Sequence, residues 1–230
     1  MESDQLRELQ RQMRACRLCL EAGHSITPGA VFTGQASARV MVIGQAPGVT
    51  EVAAKRPFNA SSGRRLFQWL GEAGWDEDDF RARQYMTAVT KCFPGKSASG
   101  RGDRVPSKDE QALCRPYLLE EIRLVDPRLV IPVGGLAIRL FYPASARLKQ
   151  LIGRADYLPG RRVAQQDDPF SLKGSTRLEA FDENLSPDGR WVVPLPHPSG
   201  ASAWPNLDGN QALIDRAVQI LADLRVAWHL

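Results

Sequence analysis

The chain has 230 residues, 43% of them hydrophobic and 24% charged, with a formal net charge of +4. That balance excludes a disordered or low-complexity chain, suffices to bury one sizeable core and favours a single domain over residues 1–230. The mild positive charge permits a polyanionic partner without demanding one. No apolar run approaches the roughly 20 residues that span a bilayer, so no membrane partner is expected. The polar start, MESDQLRELQRQMRAC, is no signal peptide, and the expected location is cytoplasmic.

A first helix is expected from Ser3 or Asp4, with Leu6, Leu9 and Met13 on one face, running into Cys16 and Cys19. Residues 39–43 (RVMVI) read as a buried strand, and GQAPG (44–48) as the turn after it. A helix starts near Ser62, with Leu66, Phe67 and Leu70 as its apolar face and Gly74 as its stop. YMTAVT (85–90) is a second strand, followed by a Gly/Ser/Lys/Arg loop at 95–104. Ser107 and Glu110 have the spacing of a capping box opening the next helix. LVIPV (129–133) is a third strand, ending at Gly134-Gly135. WVVPL (191–195) is a fourth, entered from a Pro187-Asp188-Gly189 turn. A last helix spans about 208–226, with Leu213, Ala217, Leu221 and Leu224 on one face. Residues 153–190 form a long polar stretch without periodicity, of the kind that is usually functional or mobile.

Strands alternating with amphipathic helices imply an α/β fold: a three-layer α/β/α sandwich around a central four-stranded, mostly parallel sheet. Such sheets bind ligands at the carboxyl ends of their strands. GQAPG, Lys91-Cys92, Gly134-Gly135 and His197 all fall there.

Cysteine chemistry is the next signal. Cys16-Arg17-Leu18-Cys19 is a C-x2-C pair, able to place two sulfurs on one metal or cluster. Cys92 ends a strand and Cys114 sits near a helix start, so the fold is able to bring all four together. Four thiolates suit zinc or [4Fe–4S] equally; the plainer reading is four unrelated buried thiols.

Val31-Phe32, the run Ala38 to Gly48, Arg56-Pro57-Phe58, Gly63, Thr87 to Cys92, Cys114-Arg115-Pro116-Tyr117-Leu118 and His197-Pro198-Ser199 follow one another at nearly the spacings of a known family. Over about residues 16–202 the chain resembles the iron–sulfur, family-four type uracil-DNA glycosylases. The resemblance implies that family's α/β/α fold, a [4Fe–4S] cluster on Cys16, Cys19, Cys92 and Cys114, and base-excision repair. Its substrate would be uracil-containing DNA, single- or double-stranded, and a monomer suffices.

Excising uracil leaves negative charge on the base and oxocarbenium character on the sugar, so an enzyme gains by stabilising charge that appears only in the transition state. Extruding the base first costs a few kcal/mol. By the resemblance, Phe58 stacks on the extruded base and His197 donates to its O2, with the backbone N–H groups of Gln45 and Ala46 supplementing it. Without that match, Phe58 would read as a core phenylalanine and His197 as a structural histidine. Ser199, Gly200, Ala201 and Ser202 would touch phosphates and enter the minor groove, with Trp204 as a substitute wedge for the small Ala201. Lys96, Arg101 and Arg104 are able to line the DNA backbone, or to sit on a solvated loop.

Two positions depart from the family. Its GEAPG glutamate is Gln45 here, and a neutral amide orients water but is no general base; Glu51 is the nearest candidate carboxylate. Its uracil-reading asparagine is Ala88, which leaves Asn59 or a group from 153–190 to compensate. These departures motivate an alternative, a catalytically weak or inactive uracil- or abasic-DNA binding protein on the same scaffold. A zinc deaminase is disfavoured because the H-x-E…P-C-x-x-C arrangement is missing.

Overall fold

A computed structural model of the chain describes residues 2–100, 102–160, 168–199 and 203–230. In chain order the elements are α1 (Glu2–Ala15), α2 (Leu18–Glu21), β1 (Val40–Gly44), α3 (Val49–Ala54), α4 (Ser61–Glu72), α5 (Glu77–Arg83), β2 (Tyr85–Ala88), α6 (Lys108–Val125), β3 (Leu129–Pro132), α7 (Gly135–Ile138), α8 (Leu148–Leu151), β4 (Ala155–Leu158), β5 (Thr176–Leu178), β6 (Arg190–Val192) and α9 (Asn210–Trp228). A short 3-10 turn lies at Trp204–Asn206.

The expected helix faces are the buried ones: Leu6, Leu9 and Met13 on α1, Leu66, Phe67 and Leu70 on α4, and Ala217, Leu221 and Leu224 on α9. The ends follow local chemistry. At the end of α4, Gly74 N–H bonds Gly71 O at 2.8 Å and Trp75 N–H bonds Leu70 O at 2.9 Å. That pair is a Schellman motif, and Gly74, at φ 93°, adopts the left-handed conformation it needs. At the start of α6, Ser107 Oγ accepts Glu110 N–H at 3.2 Å and Glu110 returns a bond to Ser107 N–H at 2.7 Å. Short helices escape the periodicity reading, among them α3, α8 and α5; the last, EDDFRAR, has one large apolar residue and is announced only by the Asp76 cap, acids first and arginines last.

The sheet order is β2-β1-β3-β6-β4-β5. β2, β1, β3 and β6 are the four expected strands, all parallel, with Gly44 opposite Ala88 and Ile43 opposite Pro132. The expectation of a four-stranded sheet is corrected: six strands form it. β4 and β5 join antiparallel from within residues 153–190, which therefore hold structure as well as loop. Their signal is hidden because β4 reads Ala-Asp-Tyr-Leu. Its Asp156 is buried, accepting from Tyr142 Oη at 2.8 Å and pairing with Arg177 at 3.1 Å, so a charge that reads as solvated is neutralised inside.

The chain steps one way from β1 to β2 and the other way from β2 over β1 to β3. Right-handed crossovers then put the intervening helices on opposite faces. Accordingly α1 packs on α6, and α4 packs on α9. Val40–Ile43, Leu129–Ile131 and Trp191–Val193 fill the space between with full burial. Among the described residues no helix is long and apolar enough to cross a membrane.

Candidate functional site

Strand reversal at β1 opens a crevice at the carboxyl ends of β1, β2 and β3, the place where open α/β sheets bind ligands. A small cavity lies there, lined by Gln45, Ala46, Glu51, Phe58, Ala88 and His197 among others. Six of the expected site residues therefore meet in one cavity although 152 positions separate Gln45 from His197 (197 − 45). Asn59 does not line it; its side chain is exposed. Val31, Gly44, Pro47, Pro57, Ser62, Thr87 and Val133 complete the wall; no polar chemistry beyond the hydroxyls marks them in the sequence.

Phe58 is placed by three backbone features. It sits at φ 50°, the left-handed region that non-glycine residues occupy only when the surroundings enforce it. Its ring lies over the Gly44 backbone, where a Cβ would stand 2.9 Å from Phe58 Cζ. Its carbonyl occupies the space of a side chain at Gly63, where a Cβ would sit 1.8 Å away. Only glycine fits at either position.

Glu51 holds the same turn from its amide side. Its carboxylate accepts Gly48 N–H at 2.5 Å and the N–H groups of Phe58 and Asn59. Burial pushes the Glu51 carboxyl above its usual range, and those three N–H donors pull the other way. This carboxylate ties the GQAPG turn to the Phe58 turn through backbone N–H groups.

His197 follows β6 between two prolines, and Gly134 backs its ring. Gly134, at φ 85°, donates to Leu195 O at 2.9 Å, and a Cβ there would stand 2.9 Å from His197 Cδ2. His197 Nδ1 accepts Ser199 N–H at 3.2 Å and lies 2.8 Å from Ser199 Oγ. An amide N–H only donates, so Nδ1 carries no proton, and the neutral ring holds its proton on Nε2. Burial lowers the imidazole pKa below its ordinary value, favouring that neutral form. The ring is thus a neutral hydrogen-bond donor.

Ala88 closes the floor with a methyl group; its carbonyl accepts Lys91 Nζ at 2.6 Å. Lys91 also donates to Thr87 Oγ1 at 2.8 Å and pairs with Glu121 at 2.6 Å, fully buried, while Tyr85 Oη reaches Glu121 at 3.0 Å. Of the loop cations, Lys96 pairs with Asp103 at 2.7 Å, and Arg104 makes a fork with Glu110 at 2.5 and 2.7 Å. Arg101 lies outside the described residues, as do Gly200, Ala201 and Ser202. Trp204 is half-buried against the core.

Cys16, Cys19, Cys92 and Cys114 line a second small cavity, together with Met13, Tyr117 and Lys91. All four are unpaired thiols. Cys92 accepts Gly29 N–H, Cys114 accepts Lys91 N–H, and the Tyr117 hydroxyl bonds Cys16. Burial raises the Cys114 thiol to about 11. Among the described residues no group of three or more His, Cys, Asp or Glu side chains is arranged to hold a single metal ion.

A sheet of this order, with its pocket at the switch point and a histidine loop beyond β6, defines a class. The chain belongs to the Uracil DNA glycosylase superfamily, whose family model matches residues 31–222. Within that superfamily it is similar to the type-4 uracil-DNA glycosylase of Pyrobaculum aerophilum, 29% identical over 153 residues, which cover 66% of this chain and 71% of that protein. The type-4 uracil-DNA glycosylase of Thermotoga maritima is 28% identical over 164 residues, 70% of this chain and 78% of its own. A type-5 uracil-DNA glycosylase of Pyrobaculum aerophilum is 31% identical over a shorter stretch, 46% of this chain and 49% of that protein.

Proposed function

We propose that the chain is a uracil-DNA glycosylase, a hydrolase of N-glycosyl bonds that extrudes uracil from DNA, cuts its glycosidic bond and leaves an abasic site for base-excision repair. One observation carries the reading: Phe58 and a neutral, Nε2-protonated His197 face one cavity at the strand ends. Phe58 stacks on the base. His197 Nε2–H donates to O2 as charge collects there. Gln45 orients the incoming water, and the bond breaks dissociatively, so no strong base is needed. Glu51 acts by holding the two turns together, and Ser199 by fixing the histidine tautomer. Ala88 offers the base edge no hydrogen bond, so discrimination falls to His197, the backbone at Gln45 and Ala46, and the cavity shape.

The four cysteines are read as holding a [4Fe–4S] cluster, the group implied by the resemblance to the family-four glycosylases. They share one cavity, and N–H and O–H donors approach three of the sulfurs, the usual second layer of such a site. When bound, the group ties the α1–α2 corner to the end of β2 and to α6. Iron and acid-labile sulfide in roughly equal amounts, with zinc absent, is the expected analysis.

The decisive assay incubates the protein with single- and double-stranded DNA carrying one uracil, then cleaves abasic sites with alkali. Strand breaks support the reading; binding without base release on both substrates supports the inactive-binder alternative instead. We further propose action as a monomer of one domain, in the cytoplasm, with Ser199 to Ser202 on the DNA.

A further inference from the structure

The left-handed turn at Phe58 is gripped twice, by groups of opposite polarity. Glu51 takes the N–H groups of Phe58 and Asn59 from the pocket side. From outside the pocket, Arg81 on α5 takes the carbonyls: Nη1 donates to Pro57 O at 2.8 Å and Nη2 to Phe58 O at 2.8 Å. Its Nε bonds Glu77 at 2.8 Å, and its guanidinium lies 4.2 Å over the Phe67 ring. The side chain is 12% exposed. A planar, forked cation held on three sides is a fixed strut, which a flexible point-charge lysine is unable to reproduce. Without it, two carbonyls lose their donors and a backbone conformation that survives only by enforcement loses half of its restraint.

We propose that Arg81 is a positioning residue for base recognition: its guanidinium bridges the Pro57 and Phe58 carbonyls and so sets the plane of the Phe58 ring against which the extruded base is read. The identity of that base rests on the uracil-excision reading above; the strut itself does not.

The test uses the full chain and three variants, Arg81→Met, Arg81→Lys and Glu77→Gln. Glu77→Gln is the control, because it removes the ion pair and leaves both carbonyl bonds. Two quantities are measured: single-turnover uracil release, and affinity for duplex DNA with an abasic site, which places no base on Phe58. Arg81→Met is expected to slow release about 100-fold, the scale of a roughly 1 Å misplacement, with abasic-DNA affinity within about twofold. Arg81→Lys falls between, and Glu77→Gln stays near wild type. Release within about threefold of wild type in Arg81→Met overturns the proposal, as does an equal loss of abasic-DNA affinity. If Arg81→Met does not fold, wild-type release by a folded Arg81→Lys overturns it. Amide exchange of the Phe58 and Asn59 N–H groups gives a readout without substrate. Faster exchange in the Arg81 variants than in Glu77→Gln supports the strut, and equal exchange overturns it, even if the wild-type chain releases no uracil and the function reading fails.

Discussion

In the proposed mechanism, His197→Ala removes a side-chain donor aimed at developing charge. The ring's neutral tautomer is fixed by Ser199 N–H on Nδ1 at 3.2 Å, so the lost group is an Nε2–H donor. A preorganised donor to a transition-state oxyanion is worth about 2.7–4 kcal/mol, or 10²–10³ in rate. His197 is packed against Gly134 and flanked by prolines, so its ring is held in place. We expect single-turnover excision to fall at least ~100-fold, with affinity for abasic DNA unchanged. Ser199→Ala leaves the Ser199 N–H in place and with it the tautomer, so that variant should lose only a few-fold, about the size of one neutral hydrogen bond. The assay is time-resolved alkaline cleavage of a duplex with one uracil, enzyme in excess. A His197→Ala rate within about fivefold of wild type would refute the argument, since an auxiliary contact and not a transition-state donor would then be what was removed.

Gly134→Ala should slow excision about tenfold or more: the new Cβ would stand 2.9 Å from His197 Cδ2, against about 3.5–4.0 Å for ordinary carbon contact, forcing the ring back by roughly 0.6 Å. Gly135→Ala, with nothing within 4 Å, is the matched control and should leave the rate unchanged. Acidification should have a defined sign. Because burial lowers the His197 pKa below 6.5, the unfolded chain binds more protons than the folded one between those two values. Stability conferred by the neutral ring is therefore full above pH 6.5 and falls as pH drops through that window; His197→Gln should lose this slope in thermal melts at stepped pH. Glu51→Gln keeps one acceptor oxygen and loses the charge, so excision should fall by no more than about tenfold with an unchanged pH–rate profile. A loss of about 100-fold or more with an altered profile would restore Glu51 as a base.

The chain order of apolar runs was enough to read four parallel strands, because a strand buried on both faces must be apolar along its length. The cap at Ser107 and the stop at Gly74 were legible for the same local reason: end groups of a helix need specific partners. β4 and β5 were not legible, since the charge of Asp156 is neutralised by Arg177, twenty-one positions away. Neither was α5, too short to show a period, and with it Arg81 stayed hidden.

Apolar patterning by itself determined the strands that end at the site, because a strand buried on both faces must be apolar along its length. The resemblance to the family-four glycosylases, not patterning, singled out Phe58 and His197 among the residues that line it. Which contacts each residue makes was decided only in three dimensions. Glu51 reads as a carboxylate for catalysis, yet it accepts from backbone amides that the turns at Gly48 and Phe58 deliver. His197 reads as a histidine of either protonation state, and the Ser199 amide chose one. The four cysteines share a cavity because α1, α2, the end of β2 and α6 pack at one corner. Hydrogen-bond partners far apart in sequence set these outcomes, and only the packed fold brings them within reach.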